Sequence, residues 1–257
     1  MRLEHEVRGS GAPVVFVHGG LCENTFRCLL DRPELVGSHR LVSYHRAGYG
    51  GSDRLDGPVS VGDQAEHCRS LMLSLGIERA DVVGHSSGAN IALQLTLDHP
   101  DAVRSLALLE TALLAVPTGP FAGEAIQRYR AGEKAAAADV WLRGVAGPGY
   151  REVLDRVVPG AFDDAVAAAD TFFGQELPAV RDWVFGPDEA SRIAQPTLVV
   201  LGARSHDVSP VFGERHELLL AWLPRAEPFV LPDATHLLHV QNPAAMATAL
   251  ADFLARA

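Results

Sequence analysis

One segment, Gly84-His85-Ser86-Ser87-Gly88, constrains what this chain can fold into more than any other. It follows the short apolar run Val82-Val83 and opens an apolar-rich stretch, 89–97, that stops at His99-Pro100. G-x-S-x-G between a strand and a helix predicts a turn so tight that a Cβ at either glycine would strike neighbouring backbone. Such a turn lifts the Ser86 hydroxyl above the carboxyl edge of a sheet. It also aims the N-terminus of the following helix at the hydroxyl, where negative charge is stabilised.

Short apolar runs alternate with amphipathic stretches along most of the chain. Residues 14–17, 41–44, 81–84, 103–109, 197–201 and 227–231 read as strands, and 103–109 is apolar enough to be buried on both faces. Ser60 can cap a helix running through Leu71 and Leu75 to Gly76, and Asn242-Pro243 opens a last helix reaching Leu254. The pattern predicts the α/β class with a mostly parallel, doubly wound sheet. Between about Pro117 and Ala190 the rhythm fails, leaving helix-like pieces near 124–140 and 161–173. The expected organisation is a core of residues 1–116 and 191–257 interrupted by a helical insertion, 117–190. At 257 residues and 47% hydrophobic, the chain has enough apolar material for one large core.

Charge excludes other classes. With 22 basic and 32 acidic residues the net charge is −10, and no Lys/Arg run occurs, so no nucleic-acid partner is expected. No apolar stretch approaches the roughly 18 residues needed to span a bilayer. Residues 1–11 are polar and charged rather than signal-like, which points to a cytoplasmic protein without a membrane partner. Cys22, Cys28 and Cys68 lack CxxC or His-paired spacing, so they are expected to be reduced thiols, with no metal site. No phosphate-binding glycine loop or dinucleotide fingerprint is present, and no cofactor is expected.

A serine hydroxyl is a weak nucleophile and needs a base. Of 11 histidines, His236 follows the strand 227–231 within Asp233-Ala234-Thr235-His236, ahead of the last helix and at the same sheet edge as Ser86. His239, one helical turn on, is its rival. His5, His39, His67, His99 and His216 fall in terminal, loop or helix positions and are expected to be solvated. Val17-His18-Gly19-Gly20 closes the first buried strand. Its glycine pair lets a backbone N–H turn inward to meet that of Ser87 as a two-donor oxyanion hole.

These segments, in this order, resemble the α/β-hydrolase superfamily, and the resemblance covers essentially the whole chain. Arg46-Ala47-Gly48-Tyr49-Gly50-Gly51-Ser52-Asp53 resembles the family's R-x-G-x-G-x-S loop, with His45 where many members carry Asp. The resemblance implies an α/β-hydrolase fold, its helical cap inserted after the sixth core strand. It also implies Ser86 as nucleophile, His236 as base, and Gly20 and Ser87 as oxyanion donors, with Leu21 in place of Gly20 if the loop is shifted by one residue. Related dehalogenases and epoxide hydrolases carry Asp where Ser86 stands; serine implies attack on a carbonyl and an acyl-enzyme.

The acid departs from the commonest pattern. Three places after Gly202, where it usually stands, the chain has Ser205. Glu110, closing the apolar strand 103–109, and Asp207 can each replace it. Glu110 is preferred, because its side chain has the reach and an ionisable group closing an apolar strand needs a partner. The expected function is a cofactor-independent serine hydrolase acting on a small apolar ester or lactone. The pocket would be formed among Phe121, Trp141, Phe162, Phe172, Phe173, Trp183 and Phe185. Ser86-Ser87-Gly88, with an acid after 103–109, is locally similar to lactonases that open large fungal lactones such as zearalenone. A carbon–carbon bond hydrolase, a metal-free perhydrolase and a ligand receptor of the same fold are the alternatives.

Overall fold

Strands that are apolar on both faces must be covered on both faces, and they occupy the middle of a single sheet. The computed structural model describes residues 1–113 and 115–257. Its strands are β1 (His5–Arg8), β2 (Ala12–Val17), β3 (His39–Tyr44), β4 (Ala80–His85), β5 (Val103–Leu109), β6 (Thr197–Gly202) and β7 (Ala226–Leu231). Their spatial order is β1-β3-β2-β4-β5-β6-β7. Only β1 runs antiparallel, against β3. Every residue of β4 is buried, and all but one of β5.

All six strands read from the sequence are present, with ends shifted by two residues at most. β1 is the addition. Its sequence, His-Glu-Val-Arg, has one apolar side chain and exposed ends, so as an edge strand it lacks the signature of a buried one. The polar N-terminus is therefore partly sheet. The insertion expected after the sixth core strand follows β5, because a single strand precedes the parallel run and the count is lower by one.

Alternate side chains divide between the two faces. Val15, Val17, Val82, Leu106 and Leu108 pack with helices α1 (Val61–Ser74) and α2 (Ser87–Asp98). Val14, Phe16, Val83, Ala107 and Leu109 pack on the other face with the C-terminal helix Pro243–Leu254. Ser60 starts α1 with a reciprocal capping box: its Oγ accepts from the Asp63 N–H at 3.0 Å, and Asp63 accepts from the Ser60 N–H at 2.9 Å.

The inserted segment contains α3 (Phe121–Arg130), α4 (Lys134–Ala146), α5 (Tyr150–Val157), a short helix at Ala161–Ala167 and a π-helical turn at Asp170–Glu176. The stretch 124–140 is two helices rather than one, broken near Gly132, whose φ of 81° ends α3. Leu142, Tyr150, Leu154, Phe172 and Phe173 form a third apolar cluster with Leu21, Cys22 and Leu237. Those last three lie on loops at the carboxyl edge of the sheet, so the helices sit over that edge. Phe185 and Ala190 instead join the cluster beneath α1 and α2. The remaining long helices are α6 (Val211–Trp222) and α7 (Pro243–Leu254). Among the described residues no helix is long and apolar enough to cross a membrane.

Candidate active site

Ser86 ends β4 with φ 53° and ψ −122°, a left-handed conformation unusual for a side chain. The turn is enforced by its glycines. A Cβ on Gly84 would lie 2.6 Å from the Ala89 Cα, and one on Gly88 would lie 2.1 Å from the Val17 carbonyl oxygen. Glu110 ends the neighbouring β5 with φ 44°. Backbone strain of this kind costs about 1–3 kcal/mol per residue and persists where the surroundings dictate it. Here they do: the Ser86 N–H donates to the Leu109 carbonyl at 2.9 Å, and the Glu110 N–H to that of Val200 at 3.1 Å.

The two strained residues meet at His236. Its Nδ1 lies 2.8 Å from Glu110 Oε2 and its Nε2 lies 3.1 Å from Ser86 Oγ. A carboxylate can only accept, so Nδ1 carries the proton and Nε2 faces the Ser86 hydroxyl as an acceptor. The other carboxylate oxygen, Oε1, accepts from the Gly202 N–H at 2.8 Å and from the Ser205 hydroxyl. Asp207 is outside this group: it is exposed and bonded to Arg204 at 3.0 Å and His206 at 3.1 Å. The His236 ring stacks on Phe212 at 4.8 Å between centroids, and its backbone carbonyl accepts from His85 Nε2 at 2.8 Å. Burial holds His85 well below the ordinary imidazole range, so it is neutral.

His239 faces away from Ser86. It is fully buried, stacks on Phe26 at 4.4 Å, and its ring nitrogens have no hydrogen-bond partner among the described residues. Burial brings its imidazole down to about 3. His39 and His216 are likewise buried rather than solvated. His39 caps the Leu35 carbonyl from Nδ1 at 3.2 Å, and His216 lies on the inner face of α6.

Two peptide units flank Ser86, each pinned by its carbonyl. The Gly19 carbonyl accepts from Arg46 Nη2 at 3.0 Å and His18 Nδ1 at 2.7 Å. His18 Nε2 in turn accepts the Arg46 N–H at 3.0 Å, which fixes its tautomer. The Ser86 carbonyl accepts from the N–H groups of Ala89 at 3.0 Å and Ala112 at 3.2 Å. In a trans peptide the carbonyl and the following N–H point to opposite edges. Anchoring these carbonyls in the protein therefore turns the Gly20 and Ser87 N–H groups the other way, toward the cavity both residues line. Leu21 does not line it.

The cavity above Ser86 is largely apolar, with Ile91 from the core and Phe121, Trp141, Leu142 and Phe172 from the inserted helices. Of the other expected aromatics, Phe162 lies beneath the Arg151 guanidinium at 3.5 Å and Phe173 stacks on Tyr129. Trp183 and Phe185 stack on each other at 5.4 Å, against the core and away from the cavity. Cys22 also lines the cavity, but burial pushes its thiol up to about 12, which leaves it protonated and unreactive.

Three charged lining residues were not singled out from sequence. Arg46 and Glu176 form a buried ion pair at 2.7 Å, joined by a Tyr49 hydroxyl bond to Glu176 at 2.8 Å and by Gln64 on Arg46. Arg215 is the third. Arg46 at least stands in the R-x-G-x-G-x-S segment; Glu176 and Arg215 belong to no motif.

A parallel sheet with a serine turn after its central strand, and helices inserted over its carboxyl edge, defines the α/β-hydrolase class. The chain belongs to this family: its profile, described as the alpha/beta hydrolase fold, matches residues 12–143. The chain is similar to 2-hydroxymuconate semialdehyde hydrolase of Pseudomonas sp. (strain CF600), at 31% identity over 97% of this chain and 89% of that protein. Among solved structures it is similar to the enol-lactonase from Burkholderia xenovorans LB400, with a TM-score of 0.81, 22% identity, and coverage of 98% of this chain and 96% of that one. A thermophilic esterase from Thermogutta terrifontis gives a TM-score of 0.79 at 25% identity, covering 99% and 93%.

Proposed function

We propose that this hydrolase is a cofactor-independent serine enzyme that cleaves a carboxylic ester or lactone. The observation that carries the reading is the continuous Ser86–His236–Glu110 chain, at 3.1 and 2.8 Å, opening on an apolar cavity. Ser86 Oγ attacks the carbonyl carbon while His236 Nε2 takes its proton. Glu110 holds the ring in the reactive tautomer and balances the imidazolium. The Gly20 and Ser87 N–H groups receive the developing oxyanion. His236 then protonates the leaving alkoxide, which in a lactone stays tethered to the acyl group. Water attacks the acyl-enzyme by the same route in reverse. Residues of the insertion 117–190, chiefly Phe121, Trp141 and Phe172, select the acyl or alcohol group that fits.

The test is a serine-directed phosphonate together with p-nitrophenyl butyrate. Wild type gains one adduct, at Ser86, and turns over the ester; Ser86→Ala loses the label and several orders of magnitude in rate. Labelling of Ser86→Ala at the wild-type rate overturns the reading.

A second reading is hydrolysis of a carbon–carbon bond, favoured by the 31% identity to a 2-hydroxymuconate semialdehyde hydrolase along nearly the whole chain. Consumption of 2-hydroxymuconate semialdehyde with a kcat/KM well above that for any ester would select it.

A further inference from the structure

We propose that Arg215 anchors a carboxylate of the substrate, so that the preferred substrate is an ester or lactone bearing a free carboxylate a few atoms from the scissile carbonyl. The substrate class rests on the hydrolase reading above; the anion site does not.

Arg215 stands on α6 three residues after Phe212, and residues at that spacing share a helix face about 5–6 Å apart. Phe212 stacks on His236, and Phe212, Arg215 and Ser86 line the same cavity. Arg215 therefore stands one helical turn along α6 from the residue that packs on His236. It is 5% exposed. Its Nη2 donates to two neutral acceptors, the Val116 carbonyl at 2.8 Å and Thr118 Oγ1 at 3.3 Å. Among the described residues Nε is buried without a partner, Nη1 makes no hydrogen bond, and no carboxylate lies within ion-pair distance.

Arg46 shows what a satisfied buried cation looks like in the same cavity, with Glu176 at 2.7 Å. Those two charges pair directly, whereas Arg215 feels Glu110 and Glu214 only from beyond ion-pair distance and has no direct counter-ion among the described lining residues. Burial draws its guanidinium down to about 10, which keeps it cationic at neutral pH. A buried cation without a counter-ion is costly, and a ligand anion relieves that cost. A single carboxylate matches the single charge and accepts from Nη1 as a charge-assisted hydrogen bond. A phosphate dianion would leave a net negative charge in an otherwise apolar cavity.

The experiment compares p-nitrophenyl hydrogen glutarate, which carries the carboxylate, with neutral p-nitrophenyl valerate. In Arg215→Gln the ratio of the two kcat/KM values falls about 10- to 100-fold, carried by KM for the glutarate ester, and Arg215→Lys keeps part of the preference. In parallel, glutarate binding to Ser86→Ala, read by calorimetry, weakens by a similar factor when Arg215→Gln is added. An unchanged ratio with unchanged glutarate binding overturns the proposal and leaves the hydrolase reading intact. If neither ester is hydrolysed but glutarate binding still depends on Arg215, the hydrolase reading fails and the anion site stands.

Discussion

The Ser205 hydroxyl donates to Oε1 of Glu110. Ser205 occupies the place where chains resembling this one commonly carry their acid, and here it supports the Glu110 carboxylate that follows the adjacent strand. β5 and β6 are hydrogen-bonded neighbours, so moving the carboxylate from one strand end to the next keeps it at the same sheet edge. With the Gly202 N–H at 2.8 Å, Ser205 occupies one carboxylate oxygen and leaves the other to His236.

Glu110→Gln should therefore lower kcat by about two orders of magnitude or more, because an amide cannot balance an imidazolium. Asp207→Asn should stay within about twofold of wild type, as expected for an exposed ion pair. Ser205→Ala should fall between them, since the Gly202 N–H remains. The check is ester turnover, with circular dichroism to show that each variant folds. A dead Asp207→Asn beside a near-normal Glu110→Gln would reverse the assignment.

Gly20 meets the insertion directly. A Cβ there would sit 2.2 Å from the Phe172 ring, and no unusual φ otherwise demands glycine. Gly20→Ala should depress kcat/KM by forcing the ring or the Gly20 peptide aside. Phe172→Leu should restore much of that loss in the double variant, a coupling expected of touching residues. Additive losses in the cycle would place the damage in the backbone instead.

The relay was legible because each member sits at a strand end that the sequence announces. The glycines mark Ser86, the apolar strand 103–109 marks Glu110, and the loop after 227–231 marks His236. The choice between Gly20 and Leu21 could not be read from the sequence, because it turns on peptide orientation, here governed by the bonds on the Gly19 carbonyl. Arg46, Glu176 and Arg215 were missed for another reason. Glu176 lies 130 positions from Arg46, on a π-helical turn within the inserted segment, where no motif marks it. Likewise β1, with one apolar residue, and the buried His39 and His216 owe their places to partners distant in sequence.

His239 makes stability sensitive to acid. Its imidazole is held at about 3 in the folded protein against roughly 6.5 when exposed, so it stays neutral in the fold and protonates on unfolding below pH 6.5. Its contribution is therefore complete above that pH and is lost as pH falls from 6.5 toward 3. At pH 5 the loss from this group alone is about 2 kcal/mol. His18 and His85, also held neutral by burial, act in the same direction. Urea midpoints should fall between pH 7 and pH 5. His239→Phe should reduce that fall while retaining most ester turnover, since its ring can keep the Phe26 stack. An unchanged pH slope in the variant would remove His239 as a cause.

The Arg46–Glu176 pair should couple stability to the Gly19–Gly20 peptide, and the two effects can be separated. Burial pushes the Glu176 carboxyl up and the Arg46 guanidinium opposes that shift, so Glu176 depends on Arg46 to stay ionised. Glu176→Gln leaves Arg46 buried without its counter-ion, a change of about 3–5 kcal/mol. For a chain of this length that corresponds to a fall in Tm of roughly 6–20 °C. Replacing both, with Arg46→Met and Glu176→Leu, removes the uncompensated charge and should recover most of that Tm. It cannot recover the Arg46 Nη2 bond to the Gly19 carbonyl, which turns the Gly20 N–H toward the cavity. The double variant should thus be stable yet slow, with the loss in kcat rather than KM. Thermal denaturation and steady-state kinetics on the same preparations decide the point. A double variant that regains both Tm and kcat would show that Arg46 does not hold the peptide.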